Sequence, residues 1–181
     1  TYGSIDKQIN KIAFDSREVE PNTLFVAIEG DQSNGHDYIE DAIKKGATVI
    51  LVSEKPNNTP QNISFIRVND TRIALAVVAD NYYDHPSRKF ELVGVTGTNG
   101  KTTVASLCYE LFTRLGYVVG LLSTVEIKYG SEVIPATHTT PDPLSINLHL
   151  DAMVRKGVSY CFMEVSSHGI DQGRIHGLQF K

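Results

Sequence analysis

Residues 92–103 read LVGVTGTNGKTT, and no other stretch constrains the fold of this chain as tightly. An apolar run at Phe90, Leu92, Val93 and Val95 predicts a buried strand, which gives way at Thr96 to a loop holding Gly97 and Gly100. Lys101, Thr102 and Thr103 follow. Apolar residues then recur at 104, 107, 108, 111, 112 and 115, the i, i+3, i+4, i+7 spacing of an amphipathic helix. Strand, glycine turn, Lys-Thr and helix, in that order, form the setting of a phosphate-binding loop. Glycines let backbone N–H groups turn toward phosphate oxygens where a β-carbon would obstruct them. The helix N-terminus adds the positive end of its dipole. In such a loop Lys101 neutralises the β- and γ-phosphates and the Thr102 hydroxyl is a Mg²⁺ ligand. The spacing departs from the usual G-x-x-x-x-G-K, because Val95 holds the first glycine position and glycines stand at 94 and 97.

A chain of 181 residues holds one large domain or two small ones. Its apolar fraction of 41% suits a globular core. The mean hydropathy of −0.16 argues against a membrane protein, and no run approaches the ~20 apolar residues of a membrane helix. Residues 1–10 lack the basic start and apolar stretch of a signal peptide. The net charge of −4 is spread without a basic block, which argues against nucleic acid as a partner. Cys108 lies on the helical stripe and Cys161 in an apolar strand. Two such cysteines form no disulfide framework and point to a reducing, cytoplasmic setting.

The pattern along the chain predicts an α/β fold in two parts: residues 1–88, then 89–181 as the first part of a P-loop parallel-sheet domain. In the first part, strands are expected at 11–14, 24–28, 48–52 and 64–68, with a helix at 37–45 closed by Gly46 and a polar loop at 56–62. Asp70 can cap a helix to about residue 83 with Ile73, Ala74, Val77 and Val78 inward. The sequence Asp84-His85-Pro86-Ser87 breaks that helix and marks the expected boundary. In the second part, the loop strand, its helix and a strand at 118–122 form a right-handed βαβ unit. A hairpin-like excursion spans 124–134. A helix starts with Asp142 as N-cap and Pro143 at its first position and ends at Gly157. A third buried strand covers 160–165, and residues 178–181 read as the middle of another. The expectation is therefore a piece of a longer protein, with an exposed strand edge and apolar surface near 160–165 and 178–180 that favours self-association.

Two side chains need a partner or a role. Glu164 sits inside an apolar strand, and a buried unpaired charge is costly. Either Mg²⁺ at the mouth of the loop or a lysine elsewhere would satisfy it. Arg174 is either a solvated charge or an anion clamp. Ser166-Ser167-His168 lacks the flanking glycines of a serine-hydrolase elbow, and the six histidines show no metal-ligand spacing with cysteine.

Several further stretches make a resemblance specific: Asp15-Ser16-Arg17, LFVAIEGDQSNGHDYI (24–39), TGTNGKTT (96–103), HTTPDPL (138–144) and MEVSSHGIDQGR (163–174). Through them the chain resembles the Mur ligases, ATP-dependent enzymes that add amino acids to the peptide of the bacterial cell-wall precursor. Within that family it resembles the branch adding the third residue to UDP-N-acetylmuramoyl-L-alanyl-D-glutamate. The loop TGTNGKT is the family's own form, so the glycine departure belongs to it. The resemblance covers essentially the whole chain, as the family's first domain and the opening half of its central domain. It implies that Phe14, Ser16, Asp31, Gln32 and Ser33 contact the uridine diphosphate end of the substrate. Gly97, Thr98, Asn99, Gly100, Lys101, Thr102 and Thr103 would hold ATP. Thr139 and Thr140 would bind the substrate's phosphate or muramoyl region, and Ser166, Gln172 and Arg174 its sugar-peptide part. Glu164 would join Thr102 as a Mg²⁺ ligand. The implied partners are small molecules: ATP, UDP-N-acetylmuramoyl-dipeptide and a diamino acid, meso-diaminopimelate or L-lysine. The resemblance further implies that this stretch binds substrates without completing the ligation. The alternatives are the sibling ligase adding D-alanyl-D-alanine, a folylpolyglutamate synthetase, or a binding module without activity.

Overall fold

A computed structural model of the chain describes residues 1–4, 6–30, 33–54 and 60–181. They divide into two compact units, Thr1–Leu75 and Ala76–Lys181. The first is a parallel sheet of four strands, β1 (Lys11–Ala13), β2 (Thr23–Val26), β3 (Ala47–Val52) and β4 (Ser64–Arg67), in sequential order. Strands buried on both faces read as unbroken apolar runs, and LFV and VILV do so. Phe25, Ile50 and Phe65 fill the core with Ala42 of α1 (Ile39–Lys44). The helix expected at 37–45 begins instead as a 3-10 turn, Gly35–Tyr38, because the Asn34 side chain accepts the His36 N–H and tightens the entry. Most of the polar loop expected at 56–62 lies outside the described residues.

Helix α2 (Thr71–Tyr82) starts as expected, with Asp70 Oδ1 accepting the N–H groups of Arg72 at 2.8 Å and Ile73 at 3.0 Å. Its inward face differs. Leu75, Ala76 and Ala79 are buried while Val77 is 41% exposed. The central run IALAVVA (73–79) is unbroken apolar sequence, so periodicity alone does not select a face. The division between units falls within this helix, earlier than the break at 84–87. The break itself is real, since Asp84 and His85 have φ of 56° and 51°. Its residues are tied into the second unit, where Ser87 Oγ accepts the Gln179 N–H at 3.1 Å.

The second unit holds β5 (Glu91–Val95), α3 (Lys101–Arg114), β6 (Val119–Leu122), β7 (Glu126–Tyr129), β8 (Glu132–Pro135), α4 (Pro143–Arg155), β9 (Tyr160–Glu164) and α5 (Ser167–Asp171). Its sheet order is β5-β9-β6-β7-β8, with β5, β9 and β6 parallel and the β7–β8 hairpin antiparallel. The hairpin expected as an excursion is thus part of the sheet. Two expectations of exposure are overturned. Strand β9 is not an edge: it runs between β5 and β6 with Cys161, Phe162 and Met163 buried, as its apolar sequence demands. Residues 178–181 form no strand, and Leu178 and Phe180 pack on the core of Leu92, Ile146, Leu150 and Met163. The Lys181 N–H does donate to the Leu92 carbonyl of the edge strand β5 at 3.0 Å.

Apolar surface lies on α3 instead. Ala105, Cys108, Tyr109 and Phe112 face the sheet against Val119, Leu121 and Phe162. Val104, Leu107, Leu111 and Leu115 form a second stripe that is exposed, Leu107 by 63%. Both stripes have helical spacing, so the sequence does not choose between them.

Candidate functional site

In open parallel sheets, binding sites gather outside the carboxyl ends of the strands. In the second unit those ends deliver three segments: residues 96–100 after β5, Ser123-Thr124 after β6 and Val165-Ser166 after β9. The first is the glycine loop. Gly100 is the N-cap of α3 at φ 82°, a left-handed conformation that favours glycine, and no side chain caps the helix there. The opening N–H groups of α3 are therefore turned toward the loop without a side-chain acceptor. Lys101 Nζ donates to the Gly97 carbonyl at 2.8 Å, which arches the ammonium back over residues 97–100. Thr98, Asn99 and Thr103 are exposed around it.

Glu164 ends the strand next to β5, in register with Val95. Its side chain is 0% exposed. Oε1 accepts the Thr124 N–H at 2.8 Å, and Oε2 accepts the hydroxyls of Thr102 and Thr124, each at 3.0 Å. All three donors are neutral. Among the described residues no lysine or arginine pairs with Glu164, so the salt bridge left open by the sequence is not made there. A buried carboxylate held only by neutral dipoles, with a threonine hydroxyl beside it at a phosphate-binding turn, fits a hard divalent cation. Mg²⁺ is typically held by one or two carboxylates together with substrate phosphates. Among the described residues no group of three or more His, Cys, Asp or Glu gathers, so the site lacks the donors of a zinc or iron centre.

Thr124 was not expected in this site. It fixes both Glu164 oxygens, and its hydroxyl lies 3.1 Å from that of Thr139. A hydroxyl has one proton. The Thr124 hydroxyl is thus within donor reach of two acceptors, Glu164 Oε2 and the Thr139 hydroxyl, and its proton serves one of them at a time. The available signal was position alone: a polar residue just past the end of a buried parallel strand.

Thr140 is 1% exposed. Its hydroxyl donates to the Glu164 carbonyl at 3.2 Å and accepts the Ser166 N–H at 2.9 Å, with Ser166 Oγ at 3.1 Å. The side chain is directed into the protein, where it sets the positions of Glu164 and Ser166. Gly169 packs against it: a β-carbon there would lie 2.7 Å from Thr140 Cγ2, so only glycine lets α5 approach. Arg174 donates from Nη1 to the Thr140 carbonyl at 2.6 Å and from Nε and Nη2 to Gln172 Oε1 at 3.0 and 2.7 Å. The structure thus links Thr102, Thr139, Thr140, Glu164, Ser166, Gln172 and Arg174 through hydrogen bonds around the ends of β5, β6 and β9, with Lys101 next to Thr102 in the chain and bonded to the loop at Gly97.

In the first unit, Phe14 follows β1 and is 38% exposed. Asp15 caps the 3-10 turn Ser16–Glu18, and Arg17 donates to both of its oxygens. That hydrogen bond, foremost, holds the Asp15 carboxyl below its ordinary range. Ser16 is buried, and its carbonyl accepts Lys45 Nζ at 2.9 Å, a cation beside this turn that sequence reasoning passed over. The Ser33 carbonyl accepts the Gly30 N–H at 3.0 Å; Asp31 and Gln32 lie outside the described residues.

Residues 95–181 match a family profile described as the Mur ligase middle domain, and residues 8–83 one described as Mur ligase family, catalytic domain. The chain is 51% identical over 179 residues to the UDP-N-acetylmuramoyl-L-alanyl-D-glutamate–2,6-diaminopimelate ligase of Cytophaga hutchinsonii, covering 98% of this chain and 37% of that one. A solved structure of a ligase of the same description superposes with a TM-score of 0.80 at 25% identity, over 98% of this chain and 37% of that chain. The crystal structure of the MurF ligase from Thermotoga maritima in complex with ADP gives a TM-score of 0.57 at 25% identity, over 87% of this chain and 32% of that chain. The chain spans 37% of the length of the first curated relatives it matches.

Proposed function

The chain belongs to the Mur ligase family, and from that premise we propose that it is the nucleotide- and carrier-binding part of an ATP-dependent amide ligase acting on UDP-N-acetylmuramoyl-L-alanyl-D-glutamate. The amine it serves is 2,6-diaminopimelate, the amino acid in the relatives' names, and its place of work is the cytoplasm. One observation carries the reading: a fully buried carboxylate, Glu164, without a basic partner among the described residues and 3.0 Å from the Thr102 hydroxyl of a glycine loop.

The chemistry is amide formation driven by ATP. The substrate carboxylate attacks the γ-phosphorus and expels ADP to give an acyl phosphate, and the incoming amine attacks the acyl carbon, losing a proton and expelling phosphate to leave the amide. Nucleotide, carboxylate and sugar-carrier diphosphate are all anionic, so the site must neutralise charge in a fixed place. The N–H groups at the start of α3 and Lys101 receive the β- and γ-phosphates. Thr102 and Glu164 would hold Mg²⁺, which when bound withdraws charge from the transferring phosphoryl group. Thr124 and Thr140 keep Glu164 in place, Arg174 takes an anionic group of the carrier substrate, and Phe14, Ser16 and residues 31–33 receive its uridine diphosphate end. The test is a pair of titrations into the folded chain. Saturable binding of UDP-N-acetylmuramoyl-dipeptide, with none of a reduced folate, supports the reading; folate binding in its place would overturn it.

A further inference from the structure

The helix α5 that follows Glu164 carries His168 four residues before Gln172, one turn apart on the same face. Gln172 Nε2 and His168 Nε2 are 2.9 Å apart. The donor roles along this row are forced from its far end. A guanidinium only donates, and both Arg174 Nε and Nη2 point at the Gln172 side-chain oxygen. The Gln172 NH₂ group therefore faces His168. It can only donate, so His168 Nε2 must offer its lone pair, and the imidazole proton sits on Nδ1. Three of the five Arg174 N–H groups are taken, two by Gln172 and one by the Thr140 carbonyl. The remaining two, on Nη1 and Nη2, are aimed by those anchors.

We infer that His168 is a positioning residue: with its Nε2 lone pair facing the Gln172 NH₂ group and its proton on Nδ1, it locks the Gln172 amide so that its oxygen orients Arg174 toward an anion of the carrier substrate. This rests on the reading of Arg174 as a substrate contact. Its scaffold is rigid, because Gly169 seats α5 against Thr140, Ser166 Oγ caps the helix through the Gly169 N–H at 3.1 Å, and the Arg174 N–H returns to the Gly169 carbonyl at 2.9 Å. A donor at position 168 would oppose the NH₂ group and favour the flipped amide, which sets donors against the guanidinium.

Two measurements test it. In a two-bond ¹H–¹⁵N spectrum of the histidines, His168 is protonated on Nδ1. In Gln172→Glu, an acceptor replaces the NH₂ group and the His168 proton moves to Nε2 to face it. Protonation on Nε2 in the wild type would overturn the inference whether or not the carrier binds. Calorimetry with UDP-N-acetylmuramoyl-dipeptide then compares His168→Lys, a donor only, with His168→Gln, whose oxygen can accept. The lysine variant binds about threefold or more weakly, the scale of one net hydrogen bond, while the glutamine variant stays near wild type and Mg-ATP affinity is unchanged in both. Added positive charge alone would tighten an anion, so weakening reports orientation. Equal affinity of His168→Lys and wild type would refute the positioning role and leave the Arg174 assignment standing. If Arg174→Ala also binds like wild type, the assignment itself fails.

Discussion

Glu164 accepts three hydrogen bonds at full burial, so its charge and its shape can be separated by substitution. Glu164→Gln keeps the acceptor for the Thr124 N–H and can donate to the threonine hydroxyls. Its stability should fall within about 1 kcal/mol of wild type. What it loses is the anionic oxygen offered to a cation. ATP titrations with and without Mg²⁺ should show the metal strengthening binding in the wild type roughly tenfold more than in Glu164→Gln, the scale of a charge-assisted contact. An undiminished Mg²⁺ effect would remove Glu164 from the metal site. This residue was legible in the sequence because a carboxylate among Cys161, Phe162, Met163 and Val165 contradicts its surroundings. Thr124 was not, because a threonine after a strand is common, and only the fold shows that β9 brings Glu164 to it. Thr140 and Arg174 were legible as polar residues in marked motifs, but not the inward direction of one and the three anchors of the other.

At the scale of elements, α3 carries two apolar stripes and only one is used. Phe112 packs on Phe162 and Tyr160 with ring centroids 5.1 and 4.8 Å apart, so Phe112→Ala should destabilise the second unit by about 3 kcal/mol. Leu107→Ser, on the exposed stripe, should change its unfolding free energy by no more than about 0.5 kcal/mol. Equal losses in denaturant titrations would mean that the exposed stripe is covered. Helix α4 makes a second case. His149 is half-buried beside Tyr129, with Tyr129 Oη 3.4 Å from Nδ1, and burial lowers its pKa below the ordinary histidine value. Its neutral form is favoured by folding, so the unfolded chain binds the proton more readily. Stability from this group is therefore complete above about pH 6.5, the ordinary histidine value, and declines as pH falls toward the lowered folded value. His149→Gln should flatten that decline in urea midpoints measured from neutral to mildly acidic pH; an unchanged slope would assign it elsewhere. Strands and capped helices were readable because Asp70 and Asp142 sit where helix starts need acceptors and parallel strands are apolar on both faces. Which helix face turns inward and which strand lies centrally were not, since both depend on pairings between residues far apart in the chain.

At the scale of the whole molecule, each unit has its own sheet, parallel in the first and mixed in the second, and the proposed uridine-end and nucleotide determinants fall in different units. Ser16→Ala should weaken UDP binding by about threefold and leave ATP binding unaltered; a loss of both affinities together would show that the change unfolds more than the turn after β1. The central claim is that the loop at 97–103 holds the phosphates of Mg-ATP. Calorimetric titration of Mg-ATP into the wild-type chain and into Lys101→Ala tests it most directly. Loss of the ammonium removes a charge-assisted phosphate contact of about 1.5–3 kcal/mol, so the account predicts affinity lower by roughly tenfold or more with the fold retained by circular dichroism. Equal affinity of the two proteins for Mg-ATP would contradict it.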